Sequence, residues 1–515
     1  MNKVTYIITL DIGTSGMLAS LYNSVGECFC TSEQEYSTEF IYPSKVEQDP
    51  ATWAHAAYAV LKKIGEYAQS HQIKIEAIAI TSQRASLIAV DETGAVLRKA
   101  LMWQDKRAIE QCNKLEKTYT TKGLYAKTGL RLSPYAVLPR ILWMWEQERS
   151  LFDRAKKFIG VQDYVFYVLS GEMKTDWTQA ARTMLMDIQT FDWDEDLLKA
   201  AHVTREKLCE LVAPGTVAGY LQTNVAQHTN LLQGTPILLC GGDQQNAAVG
   251  LNVVREGLAE ANTGTGSFVI AHTDRPVFDE EARILCSASA IAGKWVAEAS
   301  VFNSGSIYRW FGKQFYHNIE ASSDSIYEKM TQEAAKAPAG ANGVLMLPHF
   351  EGSGAPYWEP EAKGLFFNLS LGSTRGDMAR AVLEGIALEI ADNLMLLEQK
   401  TGVLEQISIA GGMTKSDLFA QIQADAFGVP VSRYENEEAT SRGALIIAAV
   451  GLGIYDTIEE SLKNILKTDT RRFWPDKNNQ RIYKILLERK QKLFYALKKE
   501  RIYPLFMESL MLQFK

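Results

Sequence analysis

Apolar and polar positions along the chain sort into short strands that run into glycine turns, each followed by a further strand or a helix. Val4-Thr5-Tyr6-Ile7-Ile8-Thr9-Leu10 reads as a strand, Asp11-Ile12-Gly13-Thr14-Ser15-Gly16 as the turn after it, and Met17 to Tyr22 as a returning strand. Ser24-Val25-Gly26-Glu27 then turns the chain into a third strand. Further on, Pro236-Ile237-Leu238-Leu239-Cys240 is short and continuously apolar, the pattern of a strand buried on both faces. It leads through Gly241-Gly242-Asp243 into a helical pattern from Asn246 to Leu251. A second strand–turn–strand unit follows: Gly257 to Asn262, the turn Thr263-Gly264-Thr265-Gly266-Ser267, and Phe268 to Ala271. Near the other end, Gln406 to Ala410 reads as a strand that ends in Gly411-Gly412-Met413, with a helix expected from about Lys415 to Phe427. Strands alternating with helices predict an α/β protein.

Three of these turns carry chemistry. Asp243 is a carboxylate at a glycine-cleared strand end, where two glycines permit close approach to the backbone; the plain alternative is a helix cap. The turn at Asp11 to Gly16 offers backbone N–H groups and hydroxyls to an anion, and an Asp at a strand end suits a hydrated metal ion. An ordinary hairpin turn uses the same residues. The Gly-Thr turn at residues 263–266 repeats the arrangement, which suggests two related domains facing one anion. No Gly-x-x-x-x-Gly-Lys-Ser/Thr occurs, which excludes a P-loop, and no Gly-x-Gly-x-x-Gly occurs, which weakens a Rossmann dehydrogenase reading.

Taken in order, Asp11-Ile12-Gly13-Thr14-Ser15, Gly242-Asp243-Gln244-Gln245, Thr263-Gly264-Thr265-Gly266, Gly411-Gly412 and Glu438-Ala439-Thr440 resemble the FGGY carbohydrate kinases. The likeness runs from about Tyr6 to Lys499, and Gly352 to Trp358 looks like the glycerol-kinase branch. The resemblance implies two ribonuclease-H-like (actin-like ATPase) domains with a central cleft for ATP and sugar. It implies Asp243 as general base and Asp11 as the holder of Mg²⁺. Thr14, Ser15, Gly264, Thr265 and Gly266 would bind phosphate, and Gly411, Gly412 and Ser416 the rest of the nucleotide. Arg84, Trp103, Tyr135, Asp243 and Gln244 match the hydroxyl-binding wall of glycerol kinases; for Trp103 and Tyr135 the plain alternative is core packing. Four departures stand out. Ala85 sits where glycerol kinases carry a substrate-binding Glu, which leaves room for a longer substrate. Arg140 replaces the usual Lys of one family motif, Asn368 replaces a Gly of another, and Ser441-Arg442 replaces the commoner Ala-Leu. The first two of these three are read as packing changes.

The activity so implied is ATP-dependent phosphorylation of a small sugar, polyol or sugar acid of ketopentose, tetritol or aldonate type. An autoinducer-2-type kinase and a catalytically silent sugar sensor are the alternatives, and an actin- or chaperone-like ATPase would share the Asp-x-Gly-Thr turn without the Arg84, Trp103 and Asp243 pocket.

Composition agrees with a cytoplasmic enzyme. A chain of 515 residues suits two domains of about 250 each, placed at 1–250 and 251–500 with an extension at 501–515. Hydrophobic residues at 46% and charged residues at 22% are ordinary globular values. The net charge of -7 gives no reason to expect nucleic acid or an anionic membrane as partner, and no apolar run is long enough to span a bilayer. The N-terminus lacks a signal peptide's charged-then-apolar layout. Six cysteines without Cys-x-x-Cys spacing and seven scattered histidines point to neither disulfides nor structural zinc, with Cys28 and Cys30 expected to pack on a strand. The basic C-terminal stretch, Lys490 included, reads as the solvated face of a docked helix. Leu505, Phe506, Leu510, Met511 and Leu512 beyond it would pack on the body or on a second subunit of a homodimer.

Overall fold

In the computed structural model, residues 4–316, 323–434, 438–466 and 470–511 are described. They fall into two compact units: Met1–Val254 with Thr273–Val296 and Glu438–Thr468, and Arg255–His272 with Ala297–Glu437 and Asp469–Lys515. The first unit thus takes back two segments from the second half of the chain.

The first unit is organised by a six-stranded sheet made of β1 (Tyr6–Ile12), β2 (Gly16–Asn23), β3 (Cys28–Glu35), β4 (Ile75–Ser82), β5 (Thr216–Tyr220) and β6 (Pro236–Gly242), in the order β5-β6-β4-β1-β2-β3. β1, β2 and β3 run antiparallel through tight turns, whereas β4 lies parallel to β1 and β6 parallel to β4. The parallel strands sit at the centre and are buried over most of their length, which the Ile, Leu and Ala residues that dominate their middles permit. Helix α1 (Pro50–Ser70) covers one face. Asp49 caps it, Pro50 occupies the first turn, and Trp53, Ala56, Ala57, Val60, Leu61 and Ile64 form its buried stripe. Cys28 is exposed and Cys30 half-buried on edge strand β3, so the expected packing holds for neither fully. None of the six cysteines is in a disulfide.

The second unit repeats the theme. β7 (Leu258–Thr263) and β8 (Ser267–Thr273) form an antiparallel pair around the Gly-Thr turn. β9 (Gln406–Ala410) lies parallel to β7, and β10 (Val431–Tyr434) parallel to β9. Hairpin first and parallel strands after is the connectivity of β1, β2, β4 and β6 again. Among the described residues no helix is long and apolar enough to cross a membrane.

The C-terminal helix Lys477–Lys499 corrects the sequence reading at one position. Lys490 is fully buried, not solvated: its Nζ lies 2.6 Å from Glu389 and 3.1 Å from Asp392. Both carboxylates stand on the long helix Arg375–Thr401, which starts with a capping box of Thr374 and Asp377. The helix Ile502–Met511 continues the chain; Tyr503 is buried with Tyr357, Ala362 and Phe494, while Leu505 and Phe506 are exposed. Leu512 lies outside the described residues. Removing one member of a buried ion pair strands its partner's charge. Lys490→Met is therefore expected to cost about 3–5 kcal/mol, seen as earlier unfolding in urea. Lys498→Met, which breaks the more exposed pair with Glu359, should change little.

Candidate active site

The first unit gathers its candidate residues at one end of the central strands. Asp11 is the penultimate residue of β1, Gln83 and Arg84 follow β4, and Asp243 follows β6 as the first residue of a helix, Asp243–Gly250. Gly242 is the N-cap of that helix and gives it no side-chain cap, so the one carboxylate in its first turn is Asp243. Its Oδ1 accepts from the Gln244 amide at 2.8 Å and lies 3.4 Å from Nε of Arg84. The clearance at Gly242 serves the protein itself. A Cβ there would lie 2.5 Å from Cδ of Arg84, so the bare backbone is what lets this side chain lie down toward Asp243. Buried Oε1 of Gln244 has no hydrogen-bond partner within the protein.

Trp103 and Tyr135 are 39% and 40% exposed, which rules out core packing as the reason for either. Trp103 donates from its indole nitrogen to the Thr14 hydroxyl at 3.1 Å. The same hydroxyl lies 3.4 Å from Oε1 of Gln83, and Gln83 donates to the Gly13 carbonyl at 3.0 Å. Thr14 therefore links the turn at Gly13 to the aromatic wall. Ser15 is exposed at the tip of this turn. The hydroxyl of Tyr36 holds the turn from behind, donating to the carbonyls of Gly13 at 2.7 Å and Gly16 at 2.9 Å. Sequence reasoning passed over Gln83 and Tyr36. Gln83 stood beside Arg84 in a polar strand end, while nothing local marks Tyr36.

Asp11 is the electrostatic anomaly of this unit. Burial first, then the negative charges of Asp243 and Glu438, push its carboxyl up to about 8. Its Oδ1 is buried without a hydrogen-bond partner. Glu438 accepts from the Tyr22 hydroxyl at 2.5 Å. An orphaned carboxylate oxygen facing two further acids is what a cation would repair. Among the described residues no group of three His, Cys, Asp or Glu side chains is close enough to cage an ion. The residues fit Mg²⁺ held by one carboxylate and mostly by water.

In the second unit, Gly264 and Thr265 are exposed in the turn between β7 and β8. Their carbonyls accept from Gly305, Ser304 and Ser306 at the start of the helix Gly305–Phe315. The glycines differ in what they do locally. A Cβ at Gly266 would press on the carbonyls of Val301 and Phe302 at 2.6 and 2.8 Å, and one at Gly411, whose φ is +93°, would strike the Thr263 carbonyl. Both are required by packing. Gly412 would meet nothing within 4 Å, and Gly264 nothing nearer than 3.9 Å. No local contact requires glycine at these two positions, and the backbone there is open to close approach. Ser416 caps the helix Asp417–Phe427, its Oγ accepting from the Phe419 amide at 3.4 Å.

Comparison with known proteins bears on the whole chain. Residues 6–250 match the N-terminal domain, and residues 259–452 the C-terminal domain, of the FGGY family of carbohydrate kinases. The chain belongs to that family. Two similar relatives are the glycerol kinase of Citrifermentans bemidjiense, 32% identical over 92% of this chain and 95% of that protein, and the glycerol kinase of Pseudothermotoga lettingae, 30% identical over 91% and 94%. The solved gluconate kinase from Lactobacillus acidophilus superposes with a TM-score of 0.90 at 26% identity, covering 96% of this chain and 98% of that one. A Plasmodium falciparum glycerol kinase with ADP gives 0.86 at 24% identity over 96% and 98%, a likeness of fold. This FGGY kinase thus has the actin-like ATPase type of fold, and it is a phosphotransferase whose acceptor is an alcohol group.

Two outcomes test this geometry. Gly412→Ala introduces a methyl group that touches no protein atom; it should leave thermal stability unchanged and raise the KM for ATP. An unchanged KM would remove nucleotide binding from this loop. The raised carboxyl of Asp11 has a pH consequence. Between its ordinary value of 3.8 and about 8, the native protein holds a proton that the unfolded chain has released. Its contribution to stability is therefore lost as pH rises through that window. Asp11→Asn should raise the melting temperature of ligand-free protein more at pH 8 than at pH 5; an equal effect at both would count against the assignment.

Proposed function

We propose that this FGGY kinase transfers the γ-phosphoryl group of ATP to a hydroxyl of a small sugar, polyol or sugar acid longer than glycerol. The observation that carries this reading is Asp243: a half-buried carboxylate in the first turn of a helix after a central strand, with Arg84 Nε 3.4 Å away, in a unit whose Trp103 and Tyr135 are solvent-facing instead of packed. Glycerol, gluconate and xylulose kinases among the similar proteins agree in substrate class.

In the proposed reaction the substrate oxygen attacks the γ-phosphorus in line, the bond from that phosphorus to the ADP oxygen breaks, and Asp243 takes the hydroxyl proton. Arg84 fixes the direction of the carboxylate and offers its remaining donors to neighbouring hydroxyls. Trp103 covers the C–H face of the carbohydrate, and Tyr135 and Gln244 complete the pocket. Asp11 would hold Mg²⁺, which when bound neutralises charge on the phosphate oxygens. Thr14, Ser15, Gly264, Thr265 and Gly266 are assigned to phosphate, and Gly411, Gly412 and Ser416 to the rest of the nucleotide. Ala85 supports the longer substrate, because the carboxylate that glycerol kinases present at this position is missing.

Coupled ADP release over glycerol, erythritol, D-xylulose and D-gluconate tests the reading, with Asp243→Asn as the control. At least one longer acceptor should outperform glycerol. The variant, which keeps shape and removes the proton acceptor, should fold and transfer phosphate about 10²–10⁴-fold slower. Glycerol as the best acceptor would overturn the length argument, and near-native turnover by Asp243→Asn would overturn the base.

A further inference from the structure

Arg140 lies on the helix Val137–Gln147 with its side chain fully buried. A guanidinium has five N–H donors, and here all five end on backbone carbonyls. Nε donates to Ala136 at 3.1 Å, and Nη1 to Leu101 at 3.1 Å and Met102 at 2.8 Å. Nη2 donates to Ala85 and Tyr135. Burial pushes the group down to about 10, which leaves it charged at neutral pH. Its charge is thus spread over five carbonyl dipoles, none of them a carboxylate.

The identity of those carbonyls is the informative part. They belong to three separate stretches of chain, and each stretch carries one residue assigned to the acceptor wall: Arg84 next to Ala85, Trp103 next to Met102, and Tyr135 itself. Ala85 has a φ of +64°, a left-handed conformation that costs an L-residue energy and persists only where surroundings impose it. Arg140 holds the carbonyl of that residue. A lysine has three donors on a single nitrogen and cannot span the same fan of acceptors.

We propose that Arg140 is the positioning residue of the acceptor pocket: by tying three wall segments to one planar group it sets their spacing, and so the length of carbohydrate the kinase accepts. The inference rests on the reading of Arg84, Trp103 and Tyr135 as that wall.

The test uses the full-length chain and the same four acceptors. Arg140→Lys should lower kcat/KM for the preferred acceptor by up to about 10²-fold, the order that a misplacement near 1 Å produces. It should also flatten the discrimination between that acceptor and glycerol while leaving the KM for ATP unmoved. A purely structural role would not separate acceptor from ATP in this way. Unchanged discrimination in folded Arg140→Lys, or a parallel rise in the KM for ATP, overturns the proposal. Where Arg140→Lys fails to fold, Ala85→Gly frees the left-handed backbone without disturbing the guanidinium; it should raise the acceptor KM alone, and no change in that KM overturns the proposal equally. Trp103→Ala and Arg84→Ala separate the two levels. If neither moves the acceptor KM, or the native chain turns over none of the four acceptors, the wall reading fails and this inference falls with it. If both move it and Arg140→Lys does not, only the inference on Arg140 is lost.

Discussion

The register of three parallel strands governs the first unit. Asp11 pairs with Thr81 and Ile12 with Ser82 across β1 and β4, while Gly242 pairs with Ser82 across β6 and β4. The three strands therefore end level, and the residues that leave them, Asp11, Gln83, Arg84 and Asp243, emerge side by side. Parallel α/β sheets bind ligands at this carboxyl end. A slip of one residue in either pairing would turn Asp11 or Asp243 to the opposite face of the sheet. The continuous burial of β1, β4 and β6 is thus as much a condition of the chemistry as the carboxylates are.

Charge is the second constraint. Burial first, then the negative charges of Asp243 and Glu438, hold Asp11 well above the usual carboxylate range, and Arg84 stands 3.4 Å from Asp243 as a counter-charge. The unit has folded with a carboxyl that keeps its proton well above the usual range and leaves its buried Oδ1 without a hydrogen bond. Such an arrangement costs stability as long as no cation is present and gains affinity for one when it is. Strain of this electrostatic kind is what a site that binds a metal–nucleotide complex should carry.

Much of this was legible in the sequence because it is local. The strand–turn–strand units, the double glycine before Asp243 and the Gly411-Gly412 turn lie within a few residues, and their backbone demands show directly in residue type. What stayed hidden depends on contacts between distant segments. The glycine pair at 241–242 signalled clearance correctly, but the occupant at Gly242 is Arg84, some 160 positions away in the chain. Gly266 and Gly412 look alike as letters, yet one is required by the carbonyls of Val301 and Phe302 and the other by nothing in the protein. Lys490 belonged to a helix whose basic residues suggested a solvated face, and only the position of Glu389 and Asp392 on a neighbouring helix explains its burial.

Arg140 sharpens the same point. Read as one letter where a lysine is commoner, it was a conservative change with no bearing on the chemistry. Placed in the fold, it is one group bonded to all three stretches that carry Arg84, Trp103 and Tyr135. Hydrogen bonds to backbone carbonyls leave no trace in the identity of the accepting residues, so neither Ala85, Met102 nor Tyr135 announces the partnership. On the proposed reading, specificity in this pocket has two separable sources: the side chains that would meet the carbohydrate, which sequence motifs can locate, and the buried cation that spaces them. Differences in acceptor length between related kinases need not map to the wall itself. They can arise one layer behind it, where a planar five-donor group and a three-donor group impose different distances on the same backbone.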